Sequence, residues 1–123
     1  MRICFDIDGV IATLKLPNQD YSQVFPVEGA PEAIRGLRLE GHEVILYTAR
    51  HMKTTNGNVA KVLAREGKIL LDWLEEHGIE YDEILFGKPY ADLYVDDNAL
   101  RFISWKDFLE DSTFRNLIVK NKA

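Results

Sequence analysis

The stretch Arg2–Ala12 reads RICFDIDGVIA and places two carboxylates inside a run that is otherwise apolar. Residues 2–6 have the pattern of a short, buried β-strand, and Asp6 and Asp8 lie one residue apart at its end. Burying a charge is costly unless another group compensates it, so both aspartates need partners from elsewhere in the chain. Gly9 allows the chain to curl after the strand, which would bring Asp8 to the same place as Asp6.

Beyond this stretch, short apolar runs alternate with helical patterns, which is typical of βαβ units. Further strands are predicted at 42–48, at 81–87, within 91–97 and at 114–121, and helices at 31–40, at 59–77 and from 104 onward. Segment 13–28 shows no sustained period and is predicted as a loop or flap, in which Tyr21 and Phe25 pack down or cover a substrate. We therefore expect an α/β fold with a three-layer, doubly wound, mostly parallel sheet, formed by residues 1–123 as one domain.

Composition and charge exclude several classes of protein. The net charge is −5 and no lysine or arginine cluster resembles a nucleic-acid arm, so a nucleic-acid interface is not expected. Cys4 is the only cysteine, which excludes an internal disulfide and favours a reducing compartment. No apolar run has the pattern of a signal peptide or the length of a membrane span. These features predict a cytoplasmic protein that does not associate with membranes.

Polar side chains follow the first four predicted strands of the sheet. Asp6 ends the first, Thr48 ends the second, Lys88 follows the third, and Asp96 and Asp97 end the fourth. The carboxyl ends of parallel strands share one edge of a sheet, where ligands bind. Clustered carboxylates repel one another unless a divalent cation neutralises them, and Mg²⁺ prefers oxygen ligands.

This set of groups suits phosphoryl transfer. A lysine and Mg²⁺ together can accept a phosphate dianion beside the carboxylates. One aspartate can then attack phosphorus to form an aspartyl-phosphate. The other aspartate can give a proton to the leaving alkoxide and later take one from water.

The same residues, in the same order, resemble the motifs of the haloacid dehalogenase-like phosphohydrolase superfamily. The first motif, DxDG(T/V) after an apolar strand, is matched by Asp6-Ile7-Asp8-Gly9-Val10. The second is matched by Thr48 in VILYTAR, the third by Lys88-Pro89, and the fourth by the acidic pair in YVDDNAL. Each motif is weak alone, but together they extend over nearly the whole chain.

The resemblance implies a role for each matching residue. Asp6 would be the nucleophile and a metal ligand, and Asp8 would be the general acid/base with its backbone carbonyl on Mg²⁺. Thr48, with the adjacent Ala49, would bind the phosphoryl oxygens, and Lys88 would hold phosphate and offset the carboxylates. Asp96 would be the main metal ligand of the fourth motif, while Asp97 would bind through water or hold Lys88.

Segments 13–28 and 49–58 are too short for the mobile cap domain that many members carry. A capless member acts on a large substrate, or a neighbouring copy in a homo-oligomer encloses its site. The segment TARHMKTTNGNV further resembles small phosphatases of bacterial capsule and surface-polysaccharide biosynthesis, which suggests a small phosphorylated metabolite such as a sugar phosphate. We also expect Arg50 and Lys53, which follow Thr48, to contact a second anionic part of the substrate.

Other functions stay open at this point. The same site could act on a macromolecule, such as a nucleic-acid end or a phosphoprotein, or transfer the phosphoryl group to another hydroxyl as a transferase or mutase. Receiver domains of signalling proteins also combine an acidic pair, a threonine and Lys-Pro. Their acidic pair lies on the first strand and their accepting aspartate on a middle one, an order that differs from this chain.

Overall fold

The computed structural model describes residues 1–122; Ala123, the last residue of the predicted domain, lies outside the described residues. In chain order the elements are β1 (Arg2–Asp6), α1 (Ala30–Leu39), β2 (Glu43–Thr48), α2 (Val59–Glu76), β3 (Glu83–Phe86), α3 (Trp105–Glu110) and α4 (Ser112–Lys122). The strands form a parallel sheet in the order β1-β2-β3. The predicted α/β fold with a parallel sheet is confirmed.

The alternation of side chains along the strands sets the position of the core. Phe5 lies opposite Leu46, and Leu46 lies opposite Ile84, so these apolar residues share one face of the sheet. Phe5 and Leu46 belong to a single core cluster, and the partly buried Ile84 packs against it. The cluster includes buried residues of all four helices, among them Ile34, Leu37, Leu70, Trp73, Leu74, Trp105, Phe108 and Phe114. On the opposite face, Cys4 and Leu85 are exposed.

The two long helices begin and end where the sequence indicates. Pro31 lies in the first turn of α1, and Gly41 adopts φ 92° just after its end. Asn58 caps α2, accepting a hydrogen bond from the Lys61 amide at 3.2 Å. No helix among residues 1–122 is both long and apolar enough to cross a bilayer.

The strand predicted within 91–97 is wrong. This segment has no strand pairing in the structure, and all of its residues are exposed. A parallel neighbour needs a crossover connection of about a dozen residues or more. Only residues 87–90 separate β3 from this segment, so the chain is too short here to return beside another strand of the sheet.

The strand predicted at 114–121 is also wrong, because these residues lie in α4. Phe114 and Ile118, four positions apart, both contact the core, which is the spacing of one helical face. The side chain of Asp111 accepts hydrogen bonds from the amides of Thr113 and Phe114, at 2.8 and 3.2 Å, and so satisfies the first turn. The prediction of α3, in contrast, is confirmed, with Ser104 as its N-cap.

Hydrogen bonds join the two ends of the predicted flap and connect its C-terminal part to the core. The Thr13 amide donates to the Phe25 carbonyl at 2.7 Å, and the Val27 amide donates to the Ile11 carbonyl at 2.8 Å. The indole N–H of Trp73, in α2, donates to the Val24 carbonyl at 2.9 Å. These hydrogen bonds fix the position of the flap at its two ends and at Val24.

Trp73→Phe is expected to destabilise the protein by about 1–3 kcal/mol, since the buried Val24 carbonyl then loses its donor. Urea unfolding at neutral pH measures the change, with the exposed Tyr90→Phe as a control that should unfold like the wild type. Equal midpoints for Trp73→Phe and wild type would show that this hydrogen bond does not anchor the flap.

Candidate active site

The carboxyl ends of the three strands bring Asp6, Thr48 and Lys88 to one edge of the sheet. Lys88 Nζ lies 3.3 Å from Asp6 Oδ2, and the Lys88 amide donates to the Thr48 carbonyl at 3.0 Å. The other oxygen of Asp6 accepts a hydrogen bond from the Ile7 amide at 2.8 Å. The aromatic ring of Tyr94 lies under the Lys88 ammonium, 4.2 Å from ring centre to nitrogen.

Asp6 is a half-buried carboxylate with a perturbed proton affinity. Burial raises the pKa of Asp6 above its ordinary value, and the charge of Asp8 acts in the same direction. The ammonium of Lys88 acts to lower the pKa but does not cancel the effect of burial. A carboxylate of raised basicity beside a lysine is a reasonable nucleophile for an anionic substrate.

Asp8 lies in the turn that follows β1, where Gly9 adopts the left-handed conformation with φ 89°. Its carboxylate pairs with Arg50: Nε lies 3.1 Å from each oxygen and Nη2 lies 2.9 Å from Oδ1. The Thr48 hydroxyl oxygen lies 3.5 Å from Asp8 Oδ2 and accepts a hydrogen bond from the Arg50 amide at 3.1 Å. The two aspartates of the DxD stretch thus have different partners, Lys88 for Asp6 and Arg50 for Asp8.

Two of the predicted phosphate ligands differ in their surroundings. Thr48 is fully buried, whereas Ala49 is half-buried and its carbonyl accepts a hydrogen bond from the Met52 amide at 3.0 Å. Their binding of phosphate stays a prediction.

Arg50 and Lys53, predicted to act together on a substrate, lie in contrasting environments. The side chain of Arg50 is fully buried and bound to two carboxylates, Asp8 and Glu66. Lys53 is exposed, with its ammonium 5.2 Å from the ring centre of Tyr90. Contact with substrate stays a prediction for both, but the surroundings favour it only for Lys53.

Glu66 was not predicted as part of the site, and Tyr21 was predicted only as a residue that packs down or covers a substrate. Glu66, in α2, is 1% exposed and lies 3.1 Å from Arg50 Nη1 and 3.1 Å from His51 Nε2. The ring of Tyr21 covers the Arg50 guanidinium at 4.2 Å and packs edge-on against His51. One signal for Glu66 is present in the sequence, because a lone carboxylate interrupts the apolar stripe of Val62, Leu70 and Trp73.

The predicted Mg²⁺ ligands are not assembled. Asp96 and Asp97 lie in the exposed segment 91–97, and an Asp96 oxygen accepts a hydrogen bond from the Asp97 amide at 2.8 Å. Among the described residues, no three His, Cys, Asp or Glu side chains form a group that could hold a metal ion. Because no fourth strand forms, the second acidic pair is not delivered beside Asp6 and Asp8, and the residues as arranged do not fit the metal.

Comparisons with known proteins agree with this fold. A crystallised target protein from Vibrio cholerae is 31% identical to this chain, with a TM-score of 0.79 and coverage of 98% of both chains. The D,D-heptose 1,7-bisphosphate phosphatase of B. bronchiseptica, crystallised with magnesium and phosphate, is 20% identical, with a TM-score of 0.50 over 80% of this chain and 53% of that one. A chain of the Pnkp1/Rnl/Hen1 RNA repair complex is 22% identical, with a TM-score of 0.50 over 90% of this chain and 31% of that one. Neither a family model nor a curated protein sequence matches the chain.

The structure defines a parallel α/β protein with its polar residues at the carboxyl edge of the sheet. Between β1 and α1, and between β2 and α2, the described residues form only short turns and loops, with no inserted cap domain. This fold agrees with the resemblance of the sequence motifs to the haloacid dehalogenase-like superfamily, and in particular to a small member without a cap.

Proposed function

We propose that this protein is a phosphoric monoester hydrolase in which Asp6 is the nucleophile. The observation that carries the proposal is the pairing of Asp6 with Lys88, 3.3 Å apart at the edge of the sheet. A dianionic phosphate can approach the lysine while a carboxylate oxygen attacks phosphorus. The likeness to a heptose bisphosphate phosphatase supports the same chemistry.

The reaction needs two steps that use the two aspartates differently. Asp8 must carry a proton at the start of the first step. An oxygen of Asp6 bonds to phosphorus as the bond from phosphorus to the alkoxide oxygen breaks, and the alkoxide oxygen takes the proton of Asp8. Water then attacks the phosphorus of the aspartyl-phosphate and gives a proton to Asp8. Inorganic phosphate leaves and both aspartates return to their starting states.

The proposed substrate is a small phosphorylated metabolite, in particular a sugar phosphate used in surface-polysaccharide biosynthesis. The resemblance of the segment after Thr48 to such phosphatases supports this, and so does the acidic net charge, which disfavours nucleic acid. The exposed Lys53 beside Tyr90 is suited to contact a second anionic or sugar group. A second copy of the chain that covers the capless site, and a cytoplasmic location, stay predictions.

A screen of phosphorylated compounds tests the proposal. Sugar phosphates, nucleotides, a phosphopeptide and a DNA strand with a 3′-phosphate are incubated with the protein, and released phosphate is measured. We expect at least one sugar phosphate to be hydrolysed fastest. Release from the DNA end or the peptide alone would replace the metabolite with a macromolecule, and release from none would overturn the proposal.

The same screen tests metal dependence when it is run with Mg²⁺ and with a chelator. The acidic pairs in the sequence and the magnesium in the heptose phosphatase crystals favour activity only with Mg²⁺, whereas the arrangement of Asp96 and Asp97 in the structure favours activity without it. Full activity in chelator would show that Asp96 and Asp97 are not metal ligands. Asp96→Asn is then expected to leave the rate unchanged.

A further inference from the structure

Glu66 is a buried carboxylate in the middle of the apolar face of α2. It is 1% exposed and lies one helical turn from Val62 and from Leu70, both fully buried. A carboxylate in such surroundings is costly unless it is paired and hydrogen-bonded. Glu66 meets this condition through Arg50 Nη1 and His51 Nε2, each at 3.1 Å.

Arg50 connects this carboxylate to the site. Its Nη1 donates to Glu66, while Nε and Nη2 donate to Asp8. The ring of Tyr21 lies 4.2 Å above the guanidinium, whose side chain is inaccessible to solvent. Because the guanidinium is planar and rigid, its orientation toward Asp8 is fixed by its bond to Glu66.

The backbone beside Arg50 is also constrained. His51 adopts φ 60°, a left-handed conformation that costs energy for a residue other than glycine. The hydrogen bond from its ring to Glu66 and the edge-on contact with Tyr21 hold it there. Glu66 therefore fixes two consecutive residues of the loop that follows Thr48.

We propose that Glu66 is a positioning residue that acts through Arg50 to hold the carboxyl group of Asp8 where it can transfer a proton to the leaving group. This inference rests on the proposed phosphatase function. It assigns to α2, an element with none of the four sequence motifs, a part in the first chemical step. The alternative is an ion pair that only stabilises the fold.

The dependence of rate on the leaving group separates these two roles. An alkoxide leaves a sugar phosphate only if it is protonated, whereas p-nitrophenolate leaves p-nitrophenyl phosphate with little help. The experiment measures kcat/KM of wild type and Glu66→Gln with p-nitrophenyl phosphate and with the best sugar phosphate of the screen. Gln keeps the shape of Glu66 and one acceptor oxygen but removes the charge that holds Arg50.

For the sugar phosphate, kcat/KM of Glu66→Gln is expected to fall about 100-fold, and for p-nitrophenyl phosphate less than about threefold. Glu80→Gln is the control, because Glu80 pairs with Arg35 and Arg38 on the protein surface, and both substrates should keep their wild-type values. The ratio of the two constants does not depend on the fraction of folded enzyme, so partial unfolding does not obscure the result.

An equal fall for both substrates would reduce Glu66 to a structural residue, and unchanged values for both would remove any role in positioning. If Glu66→Gln gives no folded protein, Arg50→Lys replaces it, since lysine cannot bind both carboxylates with a rigid fork, and the same split between substrates is expected. A wild type that hydrolyses neither compound would count against the proposed function, a result distinct from failure of the inference.

Discussion

Asp6→Asn is expected to abolish hydrolysis while leaving the protein folded. The amide of asparagine cannot attack phosphorus, and removal of a nucleophile lowers turnover by about 10⁴-fold or more. Phosphate release from the best substrate of the screen measures the loss. Asp92→Asn, which alters an exposed aspartate outside the proposed site, should keep wild-type activity. Substantial turnover in Asp6→Asn would contradict the assignment of the nucleophile.

The stability of Asp6→Asn is expected to equal or exceed that of the wild type at neutral pH. Burial raises the pKa of Asp6 in the folded state, even with Lys88 beside it, so the folded protein holds its proton more tightly than the unfolded chain does. The stability of the wild type therefore falls as pH rises from the ordinary aspartate pKa through the raised one. Asparagine does not ionise, so the stability of the variant does not fall over this pH range for that reason.

Urea unfolding of both proteins at several pH values measures this difference. The free energy of unfolding of Asp6→Asn minus that of the wild type should grow as pH rises from about 4 toward neutrality, and level off above the raised pKa. A difference that shrinks over this range would mean that the pair with Lys88 outweighs burial.

The strand ends were predictable because they depend on local pattern and on one topological rule. Asp6, Thr48 and Lys88 each follow a short apolar run, and the carboxyl ends of parallel strands meet at one edge. The helices α1 and α2 were predictable from their apolar stripes and from Pro31, Gly41 and Asn58 at their ends.

Two strand predictions were wrong because the local residue pattern favoured a strand, whereas chain connectivity or contact with the core decided the structure. The run within 91–97 has the composition of a strand, but the four residues after β3 do not allow a parallel crossover. Residues 114–121 are rich in β-branched and aromatic side chains, yet Phe114 and Ile118 are spaced for a helix.

The bond between Glu66 and Arg50 was not predictable for a different reason. Its two residues lie 16 positions apart on separate elements, and only packing brings them together. A sequence motif places Arg50 near the site but cannot distinguish a guanidinium that faces substrate from one that is buried between two carboxylates. The prediction that Arg50 contacts a second anion overlooked this possibility.

Arg50→Met is expected to destabilise the protein by about 3–5 kcal/mol, because it leaves the buried Glu66 carboxylate without its guanidinium partner. Lys53→Met, a matched change of an exposed cation three residues away, should alter stability by less than about 0.5 kcal/mol. Urea unfolding at neutral pH measures both. Equal stability of the two variants would show that Glu66 does not depend on Arg50.

Adding Glu66→Leu to Arg50→Met should restore much of the lost stability, since an apolar pair of similar volume replaces a buried ion pair at little cost. Activity toward the sugar phosphate should stay low in the double variant, because Asp8 still lacks the guanidinium that holds it. Stability and activity would then change independently at the same two positions. If activity returned together with stability, the guanidinium would be needed only to neutralise Glu66, and the orientation of Asp8 would not depend on it.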